Sequence, residues 1–475
     1  MTTRRTLIKS GLALPLASLV KGCGQAANED VTAFYEEGLY LSGNFGPVEI
    51  ESTVTEMEVS GSIPTELNGR FLRNGPNPFS EVNPSSHHWF IGDGMVHGVR
   101  LADGRADWYR NRWLRSTRIV EALGEASNGR ALSGGPNTNV ISHAGRVWAL
   151  VESGTHPSEL GYELDTIGND SAWGAYSAHP KYDPESGELH AISYDWANYR
   201  DHVKYVVMGA DATLVKSVDI PLSGMTMVHD MALTRQYAII FDFPVTLSFV
   251  ALGLGSGFPF RWDEEHQARV GLLPRDGRAE DIIWCNVSQS FAYHPVNAYE
   301  NENAEVVIDV CRYDRMFAVD TNGPFGDSLP RLERWTINPG TKNVSEQTVD
   351  DRSQEFPRCH PMLNSKPYQY AYTLAVEGKS FPGIYKQDMN TGESSMFEFG
   401  KGRHGGEPVF IAKESATSED DGYLMTYVYD EAKNTSELII IDALDLSRPA
   451  LARVHLPVRV PYGFHGNWIA DTELI

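Results

Sequence analysis

Cysteine is scarce in this chain: 4 among 475 residues. One, Cys23, lies near the start. The others, Cys285, Cys311 and Cys359, show no CxxC spacing and are odd in number, so no disulfide framework is expected. Basic residues are in deficit. Lys and Arg number 40 against 63 Asp and Glu, a formal net charge of -23, which opposes non-specific nucleic-acid binding because neutralising phosphates takes clustered cations. No Ser/Gly-rich linker or charge run divides residues 30–475, so a single domain is read there. Helical signals are few, Arg115–Ala126 being the main candidate. What is abundant is glycine (43), proline (26) and aromatic residues (10 Trp, 21 Tyr, 19 Phe), a composition of short strands and turns in an all-β chain.

Residues 1–22 are set apart as an export signal. Thr3-Arg4-Arg5-Thr6-Leu7-Ile8-Lys9 resembles a twin-arginine signal, and the apolar run Gly11–Val20 after it is too short to span a bilayer. Leu19-Val20-Lys21-Gly22-Cys23 resembles a lipoprotein processing site with Cys23 as the lipidated residue. A periplasmic or envelope-anchored bacterial protein is the expectation.

Hairpins recur along the rest. Asn139–Glu152 turns at His143–Arg146, Tyr205–Ile220 at Gly209–Asp211, and Tyr423–Ala443 near Lys433-Asn434; Tyr237–Phe243, Glu305–Tyr313 and Leu451–Val460 are further β-rich runs. Many hairpins on one long chain suggest a propeller, with a pair of β-sandwiches as the alternative. Residues 245–262 are apolar, Gly-rich and poorly periodic. They read either as a buried strand or cap helix, or as an exposed patch that touches a membrane or admits a lipophilic substrate.

Four histidines stand beside strand-like runs: His179, His229, His294 and His465, separated by 50, 65 and 171 residues. No local metal motif has such spacing. Ligands this far apart meet only if the fold brings distant strands to one axis, and the result would be an all-nitrogen site suited to a redox metal. The remaining histidines of the 15 read as packed or surface residues: His143 as a surface turn residue, His190 and His202 near loops, and His87, His88 and His97 as a weak trio.

The motifs around these positions resemble the carotenoid cleavage oxygenases, a family of carotenoid, apocarotenoid, stilbene and retinoid enzymes. The resemblance runs through Gly69-Arg70-Phe71-Leu72-Arg73-Asn74-Gly75-Pro76, Gly92-Asp93-Gly94-Met95-Val96-His97 and Asn137-Thr138-Asn139-Val140. It continues in family order with Ala178-His179-Pro180-Lys181, Met227-Val228-His229-Asp230, Phe291-Ala292-Tyr293-His294 and Tyr462-Gly463-Phe464-His465-Gly466. It implies a seven-bladed β-propeller with a helical or loop cap over its top face, one Fe(II), and O2 as co-substrate. Carried over, the metal ligands are His179, His229, His294 and His465. Three outer glutamates match Glu152, Glu355 and Glu407, and a carboxylate on one ring nitrogen fixes the tautomer and raises the basicity of the other. No residue beyond the metal centre is implied as catalytic.

The implied reaction is cleavage of one C=C bond of a carotenoid or apocarotenoid to aldehyde or ketone products. Stilbene-cleaving relatives place a lysine immediately before the first of these glutamates; here that position is Val151, which cannot bind a phenol. Tyr109-Arg110-Asn111-Arg112-Trp113 also looks more like the carotenoid-cleaving members. The alternatives are a lignostilbene-type dioxygenase, a propeller hydrolase such as a lactonase, and a non-catalytic carotenoid binder of the envelope. The expected partner is a lipophilic polyene, with peripheral membrane contact through residues 245–262, no nucleic acid, and a monomeric chain.

Overall fold

The computed structural model describes residues 38–126, 134–169 and 173–474; the export segment and Cys23 lie outside them. The architecture is all-β. Antiparallel sheets of four to seven strands follow one another along the chain, with a two-stranded ribbon of Val245–Leu247 and Phe260–Trp262 between two strands of one of them. Among the described residues no sheet closes into a barrel.

The expected hairpins form. Asn139–His143 pairs with Arg146–Leu150 around Ala144-Gly145, His202–Met208 with Leu214–Pro221, and Gly422–Asp430 with Thr435–Asp442. The last turn holds Asn434 at φ 52°, a left-handed conformation that Asn tolerates. Three expectations are corrected. The run Leu451–Val460 yields only the strand Ala452–His455, because Pro457 has no N–H to continue the ladder. The helix is shorter, Thr117–Leu123: Ser116 Oγ accepts from Ile119 N at 3.2 Å at its start, and Gly124 at φ 66° ends it. His143 is not on the surface; it is buried and its Nε2 donates to the Gly209 carbonyl at 2.7 Å.

Burial explains why the sheets stack. Inner strands such as Phe291–Glu300 and Val306–Tyr313 are buried along nearly their whole length, whereas the outer strand Leu214–Pro221 is mostly exposed. A strand buried on both faces needs a neighbouring sheet on each side. One core cluster accordingly runs through three successive sheets, joining Tyr205 and Val207 to Ile240 and Leu272 and then to Ile308 and Trp335. Each such side chain contributes about 1.5–3 kcal/mol when fully buried.

The two ends of the chain share sheets. Gly69–Pro76 pairs with Gly466–Ala470, and Glu58–Gly61 with Ala452–His455. The seven-stranded sheet turns on one 15-residue strand, Val344–Arg358, whose first part pairs with Arg331–Ile337 and whose end pairs with Tyr370–Ala375. The Gly92-Asp93-Gly94-Met95 motif is a packing device. A Cβ on Gly94 would lie 1.9 Å from the Pro136 carbonyl oxygen, and the Asp93 carboxylate accepts from Phe79 N at 2.9 Å.

Candidate metal centre

Each of the four histidines stands on or just before an edge strand of its sheet. His179 precedes Lys181–Tyr182, His229 precedes Met231–Leu233, His294 lies at an irregular register in Phe291–Glu300, and His465 precedes Gly466–Ala470. The four are buried, and one ring nitrogen from each lies within 4.8 Å of the others. Their ring centroids are 4.4–5.2 Å apart in the close pairs. His229 Nε2 faces His294 Nε2 at 3.3 Å, and His179 Nε2 is buried without a hydrogen-bond partner among the described residues.

The three glutamates come from other segments and take the outer nitrogens. His229 Nδ1 donates to Glu152 at 3.1 Å, His294 Nδ1 to Glu355 at 2.7 Å, and His465 Nδ1 to Glu407 at 2.9 Å. With Nδ1 tied to a carboxylate, Nε2 is the lone-pair nitrogen turned inward. Inward lone pairs crowded at this distance, one of them an orphan, fit a cation shared between them. Burial, reinforced by the other three histidines and Lys181, holds His179 well below the ordinary imidazole range; burial and then His465 and His229 do the same to His294. Both are neutral at physiological pH, as ligation requires.

Sequence reasoning left two groups without a role. Arg358, three residues after Glu355, donates Nε and Nη2 to the two Glu407 oxygens, each at 2.9 Å. Burial works against the Glu407 carboxylate, but Arg358 and His465 outweigh it and hold the carboxyl down to about 2. Asp230 receives Lys181 Nζ at 2.8 Å and lies 4.0 Å from His179 Nδ1, the one ring with no glutamate behind it. The signal for Asp230 and its partner lay in the motifs already singled out, where Lys181 and Asp230 flank two of the four histidines.

A cavity of about 380 Å³ opens beside His229, His294 and His465. Aromatic rings such as Phe90, Trp196, Phe258, Tyr293, Phe356 and Phe464 dominate its wall, and Val151 lies there next to Glu152. Tyr109–Trp113 lies in the strand Arg105–Trp113 and does not line it. His97 bonds Tyr109 at 2.9 Å and His88 stacks on Phe258 at 3.9 Å, so neither joins the four. A second cluster, Asp183, Glu188 and His190, already holds a cation: Arg275 donates to Asp183 at 2.5 Å and lies 2.9 Å from His190 Nε2.

The model of the RPE65 family (retinal pigment epithelial membrane protein) matches residues 45–470. The carotenoid cleavage oxygenase of Mycobacterium tuberculosis is 43% identical, covering 91% of this chain and 98% of that protein. Cobalt-substituted Synechocystis ACO superposes with a TM-score of 0.80 at 28% identity, over 89% of this chain and 97% of that one. The lignostilbene dioxygenase of Pseudomonas brassicacearum does so with 0.82 at 26% identity, over 91% and 98%.

Proposed function

Because the chain belongs to the RPE65 or carotenoid cleavage oxygenase family, we propose that it is an Fe(II)-dependent dioxygenase that cleaves a carotenoid or apocarotenoid. The two atoms of O2 add across one C=C bond, and two carbonyl products leave, at least one an aldehyde. The observation that carries this reading is the convergence of His179, His229, His294 and His465, the last three of them at the wall of an aromatic cavity. These four would hold the metal, and the cobalt in the solved Synechocystis protein is consistent with a divalent ion there. Bound Fe(II) supplies oxygen activation, a capacity no side chain here has. The four imidazoles, neutral donors all, would hold the ion without cancelling its charge. Glu152, Glu355 and Glu407 would fix the ring tautomers, and Glu152 and Glu355 would offset the ion's charge, Glu407 being already paired with Arg358. The aromatic wall excludes water and holds a flat polyene against the centre.

A stilbene reading has the likeness to the lignostilbene dioxygenase in its favour. Val151 weighs against it, because the cavity wall beside Glu152 is an isopropyl group where a phenol would want an amine. Mass spectrometry of products from carotenoids, apocarotenals and a hydroxystilbene tests the choice. Cleavage of polyenes is expected; cleavage of the stilbene alone overturns it.

We read the antiparallel sheets as seven blades of a β-propeller in one domain over residues 30–475. The seven-stranded sheet counts as two blades sharing Val344–Arg358, and the end-to-end pairing of Gly69–Pro76 with Gly466–Ala470 supports a closed ring. The segment 245–262 belongs to the cap. Phe249, Val250 and Leu254 are 63%, 74% and 83% exposed, while Phe258 and Phe260 nearby line the cavity, which supports peripheral membrane contact at the substrate's entrance. No described helix is long and apolar enough to cross a membrane. Val250→Asp should reduce co-sedimentation with vesicles; unchanged binding would remove this patch from the account. The Arg4-Arg5 pair and Cys23 support export to the periplasm or envelope, and the chain is taken as a monomer.

A further inference from the structure

We infer that Lys181 and Asp230 are a positioning pair for His179, in which the ammonium holds the carboxylate away from the imidazole and leaves His179 the weakest donor of the four histidines. The inference rests on reading those histidines as a divalent metal site. His179 is the one ring of the four with no glutamate behind it. Among the described residues, the one carboxylate oxygen within 4.0 Å of its Nδ1 is Asp230 Oδ2, and at 4.0 Å it lies beyond hydrogen-bond reach. Both Asp230 oxygens are occupied elsewhere. Lys181 Nζ straddles them, 2.8 Å from Oδ1 and 2.9 Å from Oδ2, and the Met231 N–H donates to Oδ1 at 2.6 Å.

Each partner stands beside one of the four histidines. Asp230 lies between His229 and the strand Met231–Leu233, and Lys181 opens Lys181–Tyr182 two residues after His179. These strands belong to different sheets, so the pair ties two sheets together at the centre. If it were a tie and nothing more, breaking it would loosen the centre and weaken metal binding.

Two features point to the further role. Glu407 also pairs with a cation, yet it keeps its histidine. Arg358 meets it through the fork of Nε and Nη2, and Glu407 Oε1 still accepts from His465 Nδ1 at 2.9 Å. A cation on the carboxylate does not by itself prevent the histidine bond. At Asp230 the straddling ammonium takes the very oxygen that faces His179. The second feature is charge. Lys181 cancels Asp230, so neither a hydrogen bond nor an anion backs His179. Removing the ammonium leaves the carboxylate uncancelled beside a bound cation. With Oδ1 still held by the Met231 N–H, Oδ2 can then turn toward His179 Nδ1, and a carboxylate there raises the basicity of the imidazole. Both effects strengthen the hold on a cation.

The test titrates the full chain, stripped of metal, with cobalt(II) and follows urea unfolding of the same metal-free samples. Lys181→Met is expected to bind cobalt about 10-fold more tightly than the wild type. Its metal-free form should unfold at lower urea, because a buried carboxylate is left unpaired. Loaded with iron, it should show a lower ferric/ferrous midpoint potential. Lys181→Arg keeps the charge and should stay near wild type in all three, and adding Asp230→Asn to Lys181→Met should remove the gain in affinity. Cobalt binding unchanged or weakened in Lys181→Met, or a gain that survives Asp230→Asn, overturns the proposal. If Lys181→Met does not fold, Lys181→Gln decides by the same sign of change; if neither folds, the pair is a tie between sheets only and the proposal falls. A wild-type chain that takes up no cobalt overturns the metal reading itself, and this inference with it.

Discussion

Glu407 and Glu355 do the same task at the metal centre in opposite surroundings. Each accepts Nδ1–H from one of the four clustered histidines and each is buried. Glu407 also has the two-pronged contact of Arg358 and the Gly466 N–H, and its carboxyl is held down to about 2. Among the described residues no Lys or Arg pairs with Glu355. Burial, unopposed except chiefly by the Phe356 N–H, pushes its carboxyl well above the usual range. One corner of the site is therefore a self-sufficient ion pair that belongs to the fold. The other is a buried carboxyl group for which a cation held by His294 would be the counter-charge.

This contrast is broken most severely at Arg358. Arg358→Met leaves Glu407 buried and unpaired, and should cost the metal-free protein about 3–5 kcal/mol in urea unfolding. A loss below 1 kcal/mol would mean that Glu407 does not need it. Acid comes next. The Glu407 carboxyl sits below its ordinary 4.5, so its stabilisation is complete above pH 4.5 and is lost as pH falls through about 2. The amount is about 3 kcal/mol from the size of the shift, and Arg358→Met should remove that acid-sensitive portion from the stability curve.

Glu355 should behave differently. Glu355→Gln is expected to weaken metal binding by about 10–100-fold while leaving metal-free stability nearly unchanged. Isothermal titration of the metal-free variant together with its unfolding curve separates the two effects, and equal losses in both would erase the distinction. The His179 corner should respond least. Asp230 reaches His179 Nδ1 only at 4.0 Å, so Asp230→Asn should lower metal affinity by about 10-fold at most in the same titration.

The convergence of four histidines and three glutamates was legible in the chain because each of these residues sits in a short motif of its own. The hairpins around Ala144-Gly145 and Asn434 were legible because strand period and turn chemistry are local. Arg358 was not, since its partner lies 49 residues away across two segments of the fold. His143 misled for the same reason: a turn residue beside glycine reads as solvated until a neighbouring sheet brings the Gly209 carbonyl to it. The Leu451–Val460 run overstated its strand because an apolar pattern does not register the single missing N–H of Pro457.

The central claim is that four histidines hold one oxygen-activating iron. Its most direct test loads the metal-free chain anaerobically with Fe(II), then admits O2 and an apocarotenal, and follows metal content, visible absorbance and aldehyde together. One iron per chain is expected, with loss of the polyene absorbance and stoichiometric aldehyde, and His294→Ala should lose both metal and product. Product formation undiminished in His294→Ala would contradict the account.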